Sequence, residues 1–268
     1  EPVGEGGWRI ADRKSRNGTF VEGLRVEDAV PLHHGSVVRV GKTILLYLDQ
    51  DIGEEHVGVA ESPRLFGRSE PMRRLRAEIA LVAPKSIPVL ILGETGVGKE
   101  LVAEEIHRQS GRNGAFIAVN CAALPEQLAE SELFGHAAGA FTGAQKRNEG
   151  LFVSANGGPL FLDEIGEPPA SIQAKLLRAL AKGEIRAVGS ADVITVDVRI
   201  VAATNRDLGA EMTADSFRAD LFSRLSGWTQ SIPPLRDRRD DVLPLAAMFL
   251  ARTAPGVSLS TNAAEALL

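Results

Sequence analysis

From residue 87 onward, short apolar runs recur along the chain, and each ends in glycine, an acid or an amide. Ile87-Pro88-Val89-Leu90-Ile91-Leu92 runs into Gly93, and Phe116-Ile117-Ala118-Val119 into Asn120. Leu160-Phe161-Leu162 ends at Asp163-Glu164, and the run from Val196 to Ala203 ends at Thr204-Asn205. Short apolar runs of this kind read as buried strands of a parallel sheet, with carboxyl ends that open on a site. The first run is followed by a glycine turn and the helical-looking Leu101-Val102-Ala103-Glu104-Glu105-Ile106-His107, which makes strand, turn, helix. The N-terminal stretch is β-rich instead: Trp8-Arg9-Ile10, residues 15–21, 36–41 and 43–48 read as short strands. Asn17-Gly18 reads as a hairpin-type turn between them. The pattern predicts a two-part α/β chain.

Charge marks the boundary between the parts. Residues 49–63 hold Asp49, Asp51, Glu54, Glu55 and Glu61 with no Lys or Arg, a charge of −5 that equals the net charge of the whole 268-residue chain. Such a stretch reads as a solvated acidic linker. No basic stripe favours direct DNA binding. Cys121 is the single cysteine, so no intramolecular disulfide forms and a reducing, cytoplasmic setting is expected. The histidines at 33, 34, 56, 107 and 136 lack metal-ligand spacing. No apolar run approaches the roughly 18 residues needed to span a bilayer, so no membrane partner is expected.

The chemistry concentrates at the ends of the predicted strands. In Gly93-Glu94-Thr95-Gly96-Val97-Gly98-Lys99-Glu100 the glycines let backbone N–H groups turn inward around phosphate oxygens, the following helix end adds partial positive charge, and Lys99 neutralises terminal phosphates. Glu100 stands where a generic phosphate-binding loop has a Mg²⁺-touching Ser or Thr. The bland alternative is a glycine-rich strand-to-helix turn. Asp163 is placed to hold Mg²⁺ through water and Glu164 to polarise the water attacking a γ-phosphate, unless the pair is only a solvated turn or cap. Asn205 either senses that phosphate and its water or caps the next segment. Between these halves lies Gly139-Ala140-Phe141-Thr142-Gly143-Ala144, whose first residue is 40 after Lys99 (139 − 99) and whose last is 19 before Asp163 (163 − 144).

The ordered motifs GETGVGKELVAEEIH, VNCAAL, ESELFGHAAGAFTGA, GLFVSANGGPLFLDEIGE, VRIVAATNRDL, FRADLFSRL and PPLRDRRDDV make the chain from about Leu65 resemble the AAA+ domain of bacterial sigma-54-dependent transcription activators. The resemblance implies a P-loop AAA+ core at 64–233 and the start of a helical lid at 234–268. It implies ATP and Mg²⁺ as cofactors, a ring that is hexameric in the family, and sigma-54 with RNA polymerase as partners, met through residues 139–144. It also implies that Glu100 is normal for the family, that Asn120 is a switch pairing with Glu164, and that Asn205 is the first sensor. Arg218 and Arg224 become arginine fingers completing a neighbour's site. Read from the residues alone they form a solvated helix face. One departure is Ala137, where the family often has glutamate, which puts the link between loop and site in doubt.

SRNGTFVEG and GSVVRVG make residues 1–48 resemble the later part of a forkhead-associated (FHA) domain. The resemblance implies a partial β sandwich, with Ser15, Arg16 and Asn17 as an edge of a phosphothreonine site or as a turn that only shapes the sandwich. Both ends look cut within domains, so the sequence reads as a fragment of a longer regulator, poorly active alone. Two other uses stay open: remodelling another protein client, and a phosphothreonine-reading scaffold.

Overall fold

A computed structural model describes residues 2–3, 7–49 and 64–268, so most of the expected acidic linker lies outside the described residues. The chain divides into two compact units, one holding the N-terminal β region with Phe66–Arg74 and Leu235–Leu268, the other centred on Leu75–Pro234.

The N-terminal β region is antiparallel throughout. One sheet has the order β1 (Pro2–Val3), β2 (Gly7–Ile10), β5 (Val30–Leu32), and the other β4 (Leu24–Arg25), β3 (Thr19–Val21), β6 (Val37–Val40), β7 (Thr43–Leu46). Val21, Val26 and Val38 form the buried centre, with Ile10, Val30 and Leu32 packed on it. The hairpin expected at Asn17-Gly18 is corrected here. That turn joins β2 to β3, which belong to different sheets, and Asp12 Oδ1 braces it by accepting from Ser15 N–H at 3.1 Å and Thr19 Oγ1 at 3.3 Å. The tight hairpin is β3–β4, where Glu22 (φ 50°) and Gly23 (φ 76°) supply the two left-handed residues that a turn matching strand twist needs.

The second unit is built on five parallel strands. Helix α1 (Glu70–Val82) enters it and leads into β8 (Val89–Leu92), the glycine loop and α2 (Lys99–Gln109). There follow β9 (Ile117–Asn120), α3 (Glu126–Phe134), α4 (Leu151–Ser154), β10 (Pro159–Asp163) and α5 (Ala170–Lys182). A small hairpin of β11 (Glu184–Ile185) and β12 (Ile194–Thr195) precedes β13 (Arg199–Thr204), α6 (Leu208–Thr213), α7 (Ala219–Leu225) and β14 (Trp228–Ser231). Strand order is β14-β8-β13-β10-β9, or 5-1-4-3-2 when the five are counted along the chain. Burial explains who sits where. All six residues of β13 are buried, as a central strand covered on both faces requires, whereas β9 and β14 alternate and form the edges. On α5, Ile172, Leu176 and Ala179 recur at helical spacing and turn one face to the core that Phe152, Leu160, Leu162 and Leu221 complete.

Arg199 is a buried charge within the central strand, only 3% exposed. Its guanidinium donates to Ala83 O at 2.5 Å, Val82 O at 3.0 Å and Ile87 O at 3.2 Å, closing the carbonyl end of α1, which has no basic residue in its own last turn. Burial holds its pKa down at about 10.

Two further helices, α8 (Val242–Thr253) and α9 (Thr261–Leu267), belong to the first unit. Asp241, fully buried, accepts from Ser69 Oγ at 2.6 Å and Ser69 N–H at 2.8 Å, and so fastens the residues before α1 to the start of α8. Arg39 of β6 stacks 3.8 Å from the Phe20 ring centre and pairs with Glu265 of α9 at 2.7 Å.

Candidate functional site

The strand order assembles the site. Register pairs Leu92 with Thr204 across β8 and β13, Leu162 with Ala202 across β13 and β10, and Asp163 with Asn120 across β10 and β9. Gly93, Asn205, Asp163 and Asn120 therefore line one sheet edge, with Asn205 between the glycine loop and the acids because β13 lies between their strands.

In the glycine loop, Gly96 (φ 84°) and Gly98 (φ 102°) take left-handed conformations. Among the described residues a Cβ at Gly96 would meet nothing within 4 Å, and one at Gly98 only Leu101 at 3.8 Å, so it is conformation that demands glycine there. Gly98 is also the N-cap of α2 and offers no side-chain cap, so the first-turn N–H groups of the helix are left for an anion. Lys99 is 6% exposed and its Nζ donates to Gly93 O at 3.0 Å, with Glu164 Oε1 at 3.4 Å.

Among the described residues, Glu164 is one of four non-glycine residues with positive φ, at 52°. The kink steps it out of β10, and the ladder resumes when Ile165 N–H donates to Ala203 O at 2.9 Å. A left-handed non-glycine residue costs on the order of 1–3 kcal/mol, and such residues cluster where function fixes them. Here the kink aims the carboxylate at both halves of the site: Oε1 faces Lys99, and Oε2 accepts from Asn205 N–H at 3.3 Å. Asn205 Nδ2 in turn donates to Thr95 Oγ1 at 3.1 Å, so Asn205 ties the glycine loop to the acid. Asp163 is half-buried beside them. Burial raises its carboxyl above the ordinary value, Lys99 opposes the shift and Glu164 adds to it. These residues suit a nucleotide phosphate with its cation: donors and a lysine at the loop, and an oxygen ligand at the acid end. Among the described residues no separate cluster of His, Cys, Asp and Glu could hold a metal.

Asn120 stands at the end of the neighbouring strand, β9. Its side chain does not meet Glu164; Oδ1 accepts from Ala122 N–H at 2.9 Å and caps the short turn that begins at Cys121. Glu164 is engaged instead by Lys99, two strands away across the sheet. Arg218 and Arg224 stand at the first and last turns of α7, both exposed. Arg218 pairs with Asp220 at 2.7 Å, and among the described residues neither arginine bonds to Lys99, Asp163 or Glu164 of its own chain.

Residues 139–144 form a separate feature. Gly139 (φ 79°) and Gly143 (φ 102°) bracket a tip closed by Gly139 N–H to Ala144 O at 2.7 Å. Phe141 is 38% exposed, edge-on to His136 at 5.0 Å, and Thr142 is exposed with no hydrogen bond among the described residues. Ala144 is buried and anchors the base. The base is further held by His136, whose Nδ1 lies 2.6 Å from Ser131 Oγ and whose N–H donates to Asn148 O. Sequence reasoning did not anticipate these anchors, since no motif marks Ser131 or Asn148 as a partner of His136.

The profile of the sigma-54 interaction domain matches residues 65–230, more than half of the chain. The chain belongs to the sigma-54 interaction domain family. An FHA domain profile matches residues 2–41. The chain is 56% identical over 194 residues to the nitric oxide reductase transcription regulator NorR1 of Cupriavidus necator, covering 72% of this chain and 38% of that relative. It is 50% identical over 215 residues to the transcriptional regulatory protein ZraR of Escherichia coli K12, covering 77% of this chain and 49% of the relative. The chain thus spans less than half the length of these relatives. Among solved structures, NtrX from Brucella abortus in complex with ADP superimposes with a TM-score of 0.67 at 38% identity, covering 71% of this chain and 42% of that one. The AAA+ α/β core and the family assignment expected from the motifs are therefore established. Among the described residues no helix is long and apolar enough to cross a membrane.

Proposed function

We propose that this sigma-54 interaction domain binds ATP with Mg²⁺, hydrolyses it in a ring of subunits, and uses the cycle to remodel sigma-54 RNA polymerase in the cytoplasm. The observation that carries the reading is the convergence of Lys99, Glu164 and Asn205 on one sheet edge, in a domain that also exposes Phe141 and Thr142 on an anchored loop. Relatives agree in kind: NtrX has been solved with ADP and with ATP.

In this reading, loop amides from Gly93 to Glu100 and the open end of α2 hold the phosphates, and Lys99 leaves Glu164 for the γ-phosphate. Asp163 would hold Mg²⁺ beside the phosphates, and the cation would supply neutralisation of their charge. Glu164, released from Lys99, orients and deprotonates the attacking water. Asn205 reports the γ-phosphate to Thr95 and Glu164 at once. Asn120 Oδ1 holds the Ala122 N–H, and its Nδ2 is the group that donates to Glu164 when the switch pairing forms. Arg218 and Arg224, exposed and uncommitted to their own site, complete a neighbour's, which makes turnover depend on assembly.

The test is capture of purified sigma-54 in the presence of ADP and a γ-phosphate transition-state mimic, comparing wild type with Thr142→Ala. Nucleotide-dependent capture that the variant loses supports the reading. No capture by a chain with measurable ATPase would leave a motor with another client. For the FHA region, the exposed Ser15, Arg16 and Asn17 share one turn, which suits a phosphothreonine contact, and a phosphopeptide titration tests it directly.

A further inference from the structure

Gln173, on the first turn of α5, is 1% exposed, and its carboxamide is fully engaged. Nε2 donates to Pro168 O and to Ser216 O, each at 2.9 Å, and Oε1 accepts from Arg218 N–H at 2.9 Å. The last two bonds grip buried Phe217 from both sides, as the peptide group of a neighbouring strand would. The first reaches the turn behind the acid, where Glu167 N–H donates to Glu164 O at 3.0 Å and the chain passes on to Pro168. One side chain therefore joins the backbone that carries Glu164 to the backbone that carries Arg218. Arg218 is the N-cap of α7 without a side-chain cap, and among the described residues its guanidinium bonds only to Asp220 within its own turn, so its direction follows its backbone.

We infer that Gln173 is a positioning residue: it sets the arginine that a subunit lends to its neighbour according to the state of that subunit's own Glu164 turn. The inference rests on the proposal that Arg218 acts in trans. An apolar side chain of similar size would leave Pro168 O, Ser216 O and Arg218 N–H without their partner, and the start of α7 would lose its fixed register. A displacement of about 1 Å in a group serving the reaction costs on the order of 10²-fold in rate.

Mixed oligomers of the full-length protein test this. Lys99→Ala subunits keep their arginines but lack a working site; Arg218→Ala subunits keep the site but lack the arginine. Each is expected to be inert alone, and mixing restores ATPase at interfaces that combine the intact halves. Gln173→Met is then added to one partner at a time. Placed in the Lys99→Ala subunit, which donates the arginine, it is expected to lower the restored rate by about 10- to 100-fold. Placed in the Arg218→Ala subunit, which donates the site, it is expected to leave the rate within about twofold, and that arm also shows that the variant folds and assembles. Equal loss in both arms would overturn the inference, because Gln173 would then serve its own site or the fold. An unchanged rate in the donor arm would overturn it as well. Failure of the Lys99→Ala and Arg218→Ala mixture to complement, with Gln173 intact, would instead bring down the trans-acting arginine itself.

Discussion

Glutamine at position 164 separates two effects of one carboxylate. Lys99 Nζ and Glu164 Oε1 are 3.4 Å apart, with side chains 6% and 14% exposed. At an effective dielectric of about 20, unit charges at that distance attract by about 5 kcal/mol. Lost hydration cancels most of this, and a net of about 1–2 kcal/mol remains as the attraction that an arriving γ-phosphate has to overcome. Glu164→Gln removes the charge, keeps the shape, and keeps an oxygen for Asn205 N–H. ATP affinity should therefore rise by about 5- to 30-fold. An amide cannot take a proton from water, so turnover should fall by about 10²- to 10⁴-fold. Titration of a fluorescent ATP analogue with Mg²⁺ reads the first effect, and phosphate release at saturating ATP reads the second. Unimpaired turnover would place the base elsewhere; unchanged or weaker binding would mean that the ion pair does not compete with nucleotide.

Lys99→Ala should abolish nucleotide binding by equilibrium titration, and normal affinity would refute the phosphate-loop assignment. Thr142→Ala should leave ATPase and thermal stability intact, since its hydroxyl has no bond to lose, while open-complex formation on a sigma-54 promoter is lost. Cys121 is pushed up to about 12, chiefly by burial, with Asp163, Glu164 and Glu167 adding to it. Because the shift is upward, the stability linked to this thiol is complete below the ordinary value of 9.0 and is lost as pH rises towards 12. Maleimide labelling should accordingly stay slow from neutral pH into the mildly alkaline range until denaturant is added. Arg199→Met strips three carbonyls of their donor and should cost about 3–5 kcal/mol, a fall in Tm of roughly 10 °C by calorimetry.

The motifs were legible because their chemistry is local. A glycine loop between a strand and a helix, and acids or amides at strand ends, are short-range patterns that a parallel sheet turns into one edge. What joins those ends is not local. That Asn205 would stand between loop and acid depends on the order 5-1-4-3-2, and no spacing along the chain states that order. The pairing of Glu164 with Lys99 rather than Asn120 depends on the left-handed kink at 164, for which a glutamate gives no signal. Asn17-Gly18 shows the opposite error. Its local chemistry is that of a turn, but the pairing of β2 with β5 and of β3 with β6 makes it a link between sheets. Gln173 is one polar residue on an amphipathic helix, and its burial is what marks it.

The same distinction bears on Ala137, where the resembled family often has glutamate and this chain offers no charge. The loop base is nevertheless tied by backbone groups: Ala137 N–H donates to Val188 O at 2.9 Å, His136 N–H to Asn148 O at 2.9 Å, and Asn148 N–H to His136 O at 3.0 Å. Gly189 then fits beneath Ala140 so closely that an added Cβ would come within 2.8 Å of the Ala140 Cβ. Main-chain bonds are indifferent to the side chain at 137. Movement of α3, which carries Ser131 against His136, or of the isolated bridge at Val188, therefore reaches residues 139–144 whether or not a charge is present. If residues 139–144 couple hydrolysis to sigma-54 as proposed, packing at Gly189 and the Ser131–His136 bond carry that coupling, and Gly189→Ala is expected to uncouple the loop more severely than any change at 137, with ATPase retained and sigma-54 capture lost.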